Sequence, residues 1–214
     1  MANHNSQLPT NSKSRQLHVL CVDDETKFLD STKNILETKN EFTVENTSSV
    51  NEALEKMSTT EFDVIISDHI LPGKSGLDFL KELRESGNNI PFILFTGKGR
   101  EEVAVKALNL GADRFFNKFG QPETVYGELA YGIRQTVAQR EAEKALKHSE
   151  EKYRTIVELS PDGIVSVDVN GIITSVNSPI LNKTGFSEND FLGKNFTQLL
   201  ALQKEPPPNY MKVV

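Results

Sequence analysis

Asp23, Asp24, Asp68, Thr96 and Lys118 are the residues whose types could together do chemistry. Each falls at, or just past, the C-terminal end of a short apolar run: LHVLCV (17–22), VII (64–66), PFILF (91–95) or RFF (114–116). Three carboxylates, a hydroxyl and an ammonium that meet would make a site for a cation and a phosphoryl group. A carboxylate can attack a phosphoryl group and form a mixed anhydride. The attack needs the repulsion between carboxylate and phosphoryl oxygens cancelled, which Mg²⁺ held by carboxylates does. It also needs fixed donors for the equatorial oxygens, and backbone that leaves room. Asp68 ends the central strand and is the candidate nucleophile. Asp23 and Asp24 end the neighbouring strand and are placed to hold the metal. Lys118 would pair with a phosphoryl oxygen as a point charge, Thr96 would donate a hydrogen bond, and Gly97 keeps the approach open.

An open parallel sheet could gather these residues, because its strands end at one edge and its ligands bind in the crevice there. The pattern over 17–120 supports it. Strand-like segments at 17–22, 42–47, 64–68, 91–96 and 114–118 alternate with amphipathic ones at 26–38, 49–58, 75–86 and 100–109. Such alternation implies βαβ units with right-handed crossovers. In 26–38, Phe28, Leu29, Thr32, Ile35 and Leu36 recur at helical spacing, and in 100–109 so do Val103, Ala104, Ala107 and Leu108. The runs LHVLCV and FILF are almost continuously apolar, as in strands buried on both faces, whereas FTVENT is polar enough for an edge strand.

From Pro122, a favourable first-turn residue, no strong breaker appears before Pro161, and one helix is expected over 122–158. Val125, Leu129, Ile133 and Val137 step by four, and Leu146, Ser149, Tyr153 and Ile156 by three or four. Two readings stand: a solvated linker helix, or a parallel coiled coil that pairs two copies and relays a signal. Beyond Ser160-Pro161, GIVSVDVNGIITSVN reads as a hairpin turning at Asn170-Gly171.

Composition narrows the class. The 214 residues carry a formal net charge of −6, which disfavours a strong nucleic-acid binder. No apolar stretch approaches the ~20 residues of a membrane span, and the polar first 15 residues contain no signal-peptide core and read as a disordered tail. Cys21, the single cysteine, lies in an apolar run and reads as a core residue. A cytoplasmic setting fits.

The segments VLCVDDE, VIISDHILPGKSGLDFL, FILFTGKG and GADRFFNK resemble the receiver domain of two-component response regulators. The spacings are similar too: 44 positions from Asp24 to Asp68, 22 from Thr96 to Lys118, and Pro72 and Gly76 at steps of four past Asp68. The resemblance covers roughly residues 16–135. It implies a doubly wound, flavodoxin-like (βα)5 α/β fold with strand order 2-1-3-4-5. It also implies phosphorylation of Asp68 by a sensor histidine kinase, rather than turnover of a substrate. Mg²⁺ would be held by Asp24, Asp68 and the backbone carbonyl of Ile70, with Asp23 acting through water, and Thr96 and Phe115 would be the switch positions. Residues 150–214 resemble the start of a PAS domain, too short here for a whole one, so no PAS cofactor is assigned. The expected organisation is a tail (1–15), a receiver (16–121), a linker helix able to form a homodimer (122–158) and a partial α+β PAS-like segment (159–214).

The family's pattern is broken in places. Phe119 follows Lys118 where the family has proline, often in a cis bond; a cis bond before a non-proline costs about 3 kcal/mol. Phe115 brings no hydroxyl to the aromatic switch position. Ile70 and Lys98 occupy places that influence the lifetime of the phosphoryl group, and an apolar Ile70 cannot orient water, which implies slow self-dephosphorylation.

Other chemistries fit less well. A phosphatase with an aspartyl-phosphate intermediate wants D-x-D at the nucleophile, whereas His69-Ile70 follows Asp68. An assembly module with a vestigial acidic site remains open, as does simple helix capping by Asp23 and Asp24. GKS at 73–75 lacks the glycine that a phosphate-binding loop needs five residues earlier, where Asp68 stands, and no G-x-G-x-x-G follows the first strand. His4, His18, His69 and His148 are not at metal spacing, and His148 has no ATP-binding motif to accompany a kinase role.

Overall fold

The computed structural model describes residues 15–38, 41–97 and 101–197. The expected tail, except Arg15, lies outside them, as do Lys98 and the proline-rich end. Two compact units are present, Met1–Ala142 and Glu143–Val214.

In the first unit, β1 (Leu17–Val22), β2 (Phe42–Thr47), β3 (Val64–Ser67), β4 (Phe92–Thr96) and β5 (Arg114–Asn117) form one sheet in the order β2-β1-β3-β4-β5. Every pairing is parallel. Period-two alternation divides the strand residues between two cores. Val19, Cys21, Ile66, Ile93 and Phe95 face α1 (Thr26–Glu37) and α5 (Pro122–Leu159). Leu20, Val22, Ile65, Phe92 and Leu94 face the side covered by α2 (Val50–Thr59), α3 (Gly76–Glu85) and α4 (Glu101–Asn109). FTVENT is the edge strand β2, as its polarity implies.

Helix periodicity overstated some faces. Leu29, Thr32 and Leu36 of α1 are buried, but Ile35 is exposed; in α4 only Ala107 is buried and Leu108 lies open. Both exceptions sit at the margins of their apolar stripes.

Helix α5 begins as part of the sheet's own core. Val125, Leu129, Ile133 and Val137 are buried on β1, β3 and β4 with Tyr126. The first unit runs through these turns to Ala142, because they bury side chains in the sheet's own core. Every residue from Glu141 to Ile156, including Leu146 and Tyr153, is exposed.

In the second unit, β6 (Val165–Val167) and β7 (Ile173–Val176) form the expected antiparallel hairpin, with Gly171 at φ +76° in its turn. Short helices α6 (Ser178–Thr184) and α7 (Glu188–Phe191) follow. Asn177, fully buried, ties this unit together. Its Nδ2 donates to the carbonyls of Val157 (2.8 Å) and Asp162 (2.9 Å), and its Oδ1 accepts from the amides of Ile164 (2.8 Å) and Ile180 (3.3 Å). All the amide's hydrogen-bonding capacity is thus met, as burial requires.

Candidate functional site

The sheet's topology brings the five candidate residues to one edge. Asp23 follows β1, Asp68 follows β3, Thr96 ends β4 and Lys118 follows β5. Ladder bonds continue one residue past the strands: the Asp23 amide donates to the Thr47 carbonyl (3.0 Å), Asp68 to Val22 (2.9 Å) and Lys118 to Thr96 (3.1 Å). Asp23, Asp68, Thr96 and Lys118 are therefore held by the sheet, not by loose loops.

Asp23 is 4% exposed and Asp68 8%, while Asp24 is exposed. One carboxylate oxygen from each lies within 4.8 Å of the others. Lys118 reaches into this group, bonding to Asp23 Oδ2 and lying 3.3 Å from Asp68 Oδ1. Asp68 Oδ2 accepts the Ile70 amide at 3.2 Å, whereas Asp68 Oδ1 is buried with no hydrogen bond. Thr96 is buried, and Phe115, half-buried, packs toward the core on the α2–α4 side. The Lys118–Phe119 peptide is trans, and the Phe119 ring lies against Gly97, 3.5 Å from where a Cβ would stand.

Capping does not account for the acidic pair. Glu25 is the N-cap of α1 without a side-chain cap bond, and Asp23 Oδ1 accepts the Glu25 amide (3.0 Å), outside the helix proper.

The electrostatics follow from burial. Burial pushes the Asp23 carboxyl above the usual range and the Asp68 charge adds to this, against the pull of Lys118. Burial alone would lower the Lys118 ammonium, but Asp23 and then Asp68 outweigh it and hold it above its ordinary value. Burial, with the Asp23 charge, pushes the Cys21 thiol up to about 12, so it stays protonated. Among the described residues, Lys118 is the ammonium that serves these three close carboxylates. An all-oxygen donor set of this kind suits a hard divalent cation, and these residues could hold one.

Two contributors escaped the sequence reading. The Phe28 ring lies 4.5 Å from Lys118 Nζ, a cation–π seat for the ammonium. Helical spacing put Phe28 on the inner face of α1, but nothing local announced that its neighbour is a lysine 90 positions away. The second is the reason for Gly76, where a Cβ would stand 2.1 Å from the Asp68 carbonyl oxygen and 2.9 Å from Ser67 Oγ. The capping box between Ser75 and Asp78 fixes the start of α3 there.

This fold and site define a receiver domain, and the chain belongs to the response regulator receiver domain family, whose model matches residues 19–130. The PAS fold matches residues 151–204. Among curated relatives, the response regulator SaeR of Staphylococcus epidermidis is 36% identical over 101 residues, 47% of this chain and 43% of that protein. SaeR of Staphylococcus aureus is 35% identical over the same length. The chain thus spans less than half the length of these relatives. Among solved structures, the receiver domain of Francisella response regulator 1452 matches at 26% identity and TM-score 0.53, over 58% of this chain and 99% of that one. A CheY-like receiver protein of Methanospirillum hungatei JF-1 matches at 29% identity and TM-score 0.51, over the same shares. No helix among the described residues is long and apolar enough to cross a membrane.

Gly76→Ala tests how tightly the site is built. The new methyl meets backbone that cannot rotate away, and overpacking of this kind costs about 1–3 kcal/mol. Denaturant unfolding is expected to show a loss in that range or above. Gly127→Ala, an exposed helical position with nothing near its Cβ, is expected to be neutral or to stabilise by about 0.5–1 kcal/mol.

Proposed function

We propose that this chain is a phosphoacceptor response regulator whose Asp68 receives a phosphoryl group from a sensor histidine kinase in a Mg²⁺-dependent transfer. One observation carries the reading: Asp68 Oδ1 is buried, without a hydrogen bond, 3.3 Å from Lys118 and beside two further carboxylates. In the transfer Asp68 Oδ1 bonds to phosphorus, the phosphorus–nitrogen bond of a phosphohistidine breaks, and the imidazole leaves with a proton. Asp24, Asp68 and the Ile70 carbonyl, with Asp23 through water, would hold the Mg²⁺, which supplies charge neutralisation when bound. Lys118, already fixed by Asp23 and Phe28, pairs with a phosphoryl oxygen. Thr96 donates its hydroxyl to another, and the surface around Phe115 responds.

Several features support the wider reading. A cleft of about 290 Å³ between α1 and α5, lined by Phe28, Ile35, Lys118, Pro122, Val125 and Tyr126, opens beside the site and offers the kinase an apolar seat. The exposed Leu146, Tyr153 and Ile156 of α5 support pairing of two copies through the helix. The protein is a switch in the cytoplasm, not an enzyme with its own substrate, and no nucleic acid takes part.

Intact mass after incubation with acetyl phosphate tests this reading. The parent is expected to gain one phosphoryl group only with Mg²⁺ present, and Asp68→Asn none. A gain retained in Asp68→Asn would contradict it. Once formed, the phosphoryl group should be lost more slowly from the parent than from Ile70→Asn, which can orient water; equal decay would remove the role given to Ile70.

A further inference from the structure

The opposite edge of the sheet carries a second set of charges that phosphoryl transfer does not use. Asp63 and Asp113 each stand one residue before a strand, β3 and β5. Each closes the start of the neighbouring strand: Asp63 Oδ2 accepts the His18 amide (2.7 Å) and Asp113 Oδ2 the Phe92 amide (2.8 Å). The other oxygen of each takes an arginine. Arg15 lies 2.6 Å from Asp63 Oδ1, and Arg140 approaches Asp113 Oδ1 through Nε (2.9 Å) and Nη2 (2.8 Å). Arg84, fixed by two bonds to the Gly111 carbonyl, stands 3.5 Å from Asp113 on its other side. Arg15 is also 3.5 Å from Glu141. Consecutive residues of α5, Arg140 and Glu141, are thereby tied to the starts of β5 and β3.

Between this edge and the site, α5 is keyed to β5 turn by turn. Gly132 lies so close to Phe116 that a Cβ would meet the ring at 2.4 Å. One turn on, Arg114 Nε donates to the buried Thr136 Oγ1 at 2.9 Å. One turn further, Arg140 holds Asp113. Each step is four helical residues, close to one α-helical turn. Arg140 is also the last part-buried residue before the exposed run from Glu141 to Ile156. The Asp113 carboxylate is only 12% exposed and the Arg140 side chain 38%, so the pair is less screened than one between two fully exposed side chains.

We propose that Arg140 on Asp113, backed by Glu141 on Arg15, is the anchor that makes β5 and α5 one mechanical element. A displacement of β5 at its phosphoacceptor end is then carried along α5 to Arg140 and past it, instead of being lost in slippage between strand and helix. The relay rests on phosphorylation of Asp68; the anchor does not.

Hydrogen exchange on the full chain, before and after acetyl phosphate with Mg²⁺, separates the two. Without the donor, Arg140→Ala is expected to speed exchange of amides 137–142 at least ten-fold, with phosphoryl uptake within two-fold of the parent. Arg140→Lys should restore only part of the protection, since lysine lacks the planar fork, and Glu141→Ala should act in the same direction with smaller effect. With the donor, amides 143–150 should respond in the parent and not in Arg140→Ala. Unchanged exchange at 137–142 in Arg140→Ala overturns the anchor, whether or not the protein is phosphorylated. Equal responses at 143–150 in parent and variant overturn the relay. A parent that takes up no phosphoryl group removes the relay's premise, while the result at 137–142 still decides the anchor.

Discussion

Like charges crowded at one sheet edge are the constraint around which the first unit is organised. Asp23 and Asp68 are buried beside Asp24 with, among the described residues, the Lys118 ammonium between them. An unpaired carboxylate in such a place is costly, and removing one partner of a buried pair costs more than the pair contributes. The fold meets this with geometry. Lys118 is held by a ladder bond to Thr96, by Asp23 and by the Phe28 ring. Its ammonium has few other positions available, and the carboxylate oxygens around it could hold a divalent cation.

The remaining architecture keeps that group in register. Parallel pairing of β1 with β3 sets Asp23 against Asp68, because Val22 and Ser67 are register partners. Burial on both sheet faces prevents a one-residue slip, which would turn every core residue to the wrong side. Gly76 lets α3 start against the Asp68 carbonyl. Helix α5 closes the core and is bound to β5 along its inner side, so the strand that Lys118 follows is also tied to the long helix. The same strand serves the charge balance at one end and the Asp113–Arg140 pair at the other.

The sheet and the candidate site were legible because both are written in short patterns. Apolar runs of four to six residues mark strands, and a polar residue just past each run falls at the same edge of a parallel sheet. Asp23, Asp24, Asp68 and Lys118 meet for that reason. What stayed hidden depends on tertiary distance. Periodicity cannot tell Ile35, at the rim of α1, from Leu36, which is buried. Nor can it show that Phe28 faces Lys118 or that Arg140 finds Asp113, since neither pair shares an element. Pro122 is a helix-start signal, and a start signal does not say which core the helix joins. Val125, Leu129, Ile133 and Val137 carried that information in their four-residue step.

The most direct test of the charge-crowded site is thermal unfolding with and without Mg²⁺, at constant ionic strength, of the parent and of Asp24→Asn. Asp24 is exposed, so its replacement leaves the core intact. In the parent, Mg²⁺ should raise the melting temperature, with stabilisation near 2.7 kcal/mol at about one hundred times its dissociation constant. Asp24→Asn should be at least as stable as the parent without metal, because one like charge is gone, and should gain little when Mg²⁺ is added. Equal Mg²⁺ responses in the two proteins, or none in the parent, would contradict a site built to hold a cation among these carboxylates.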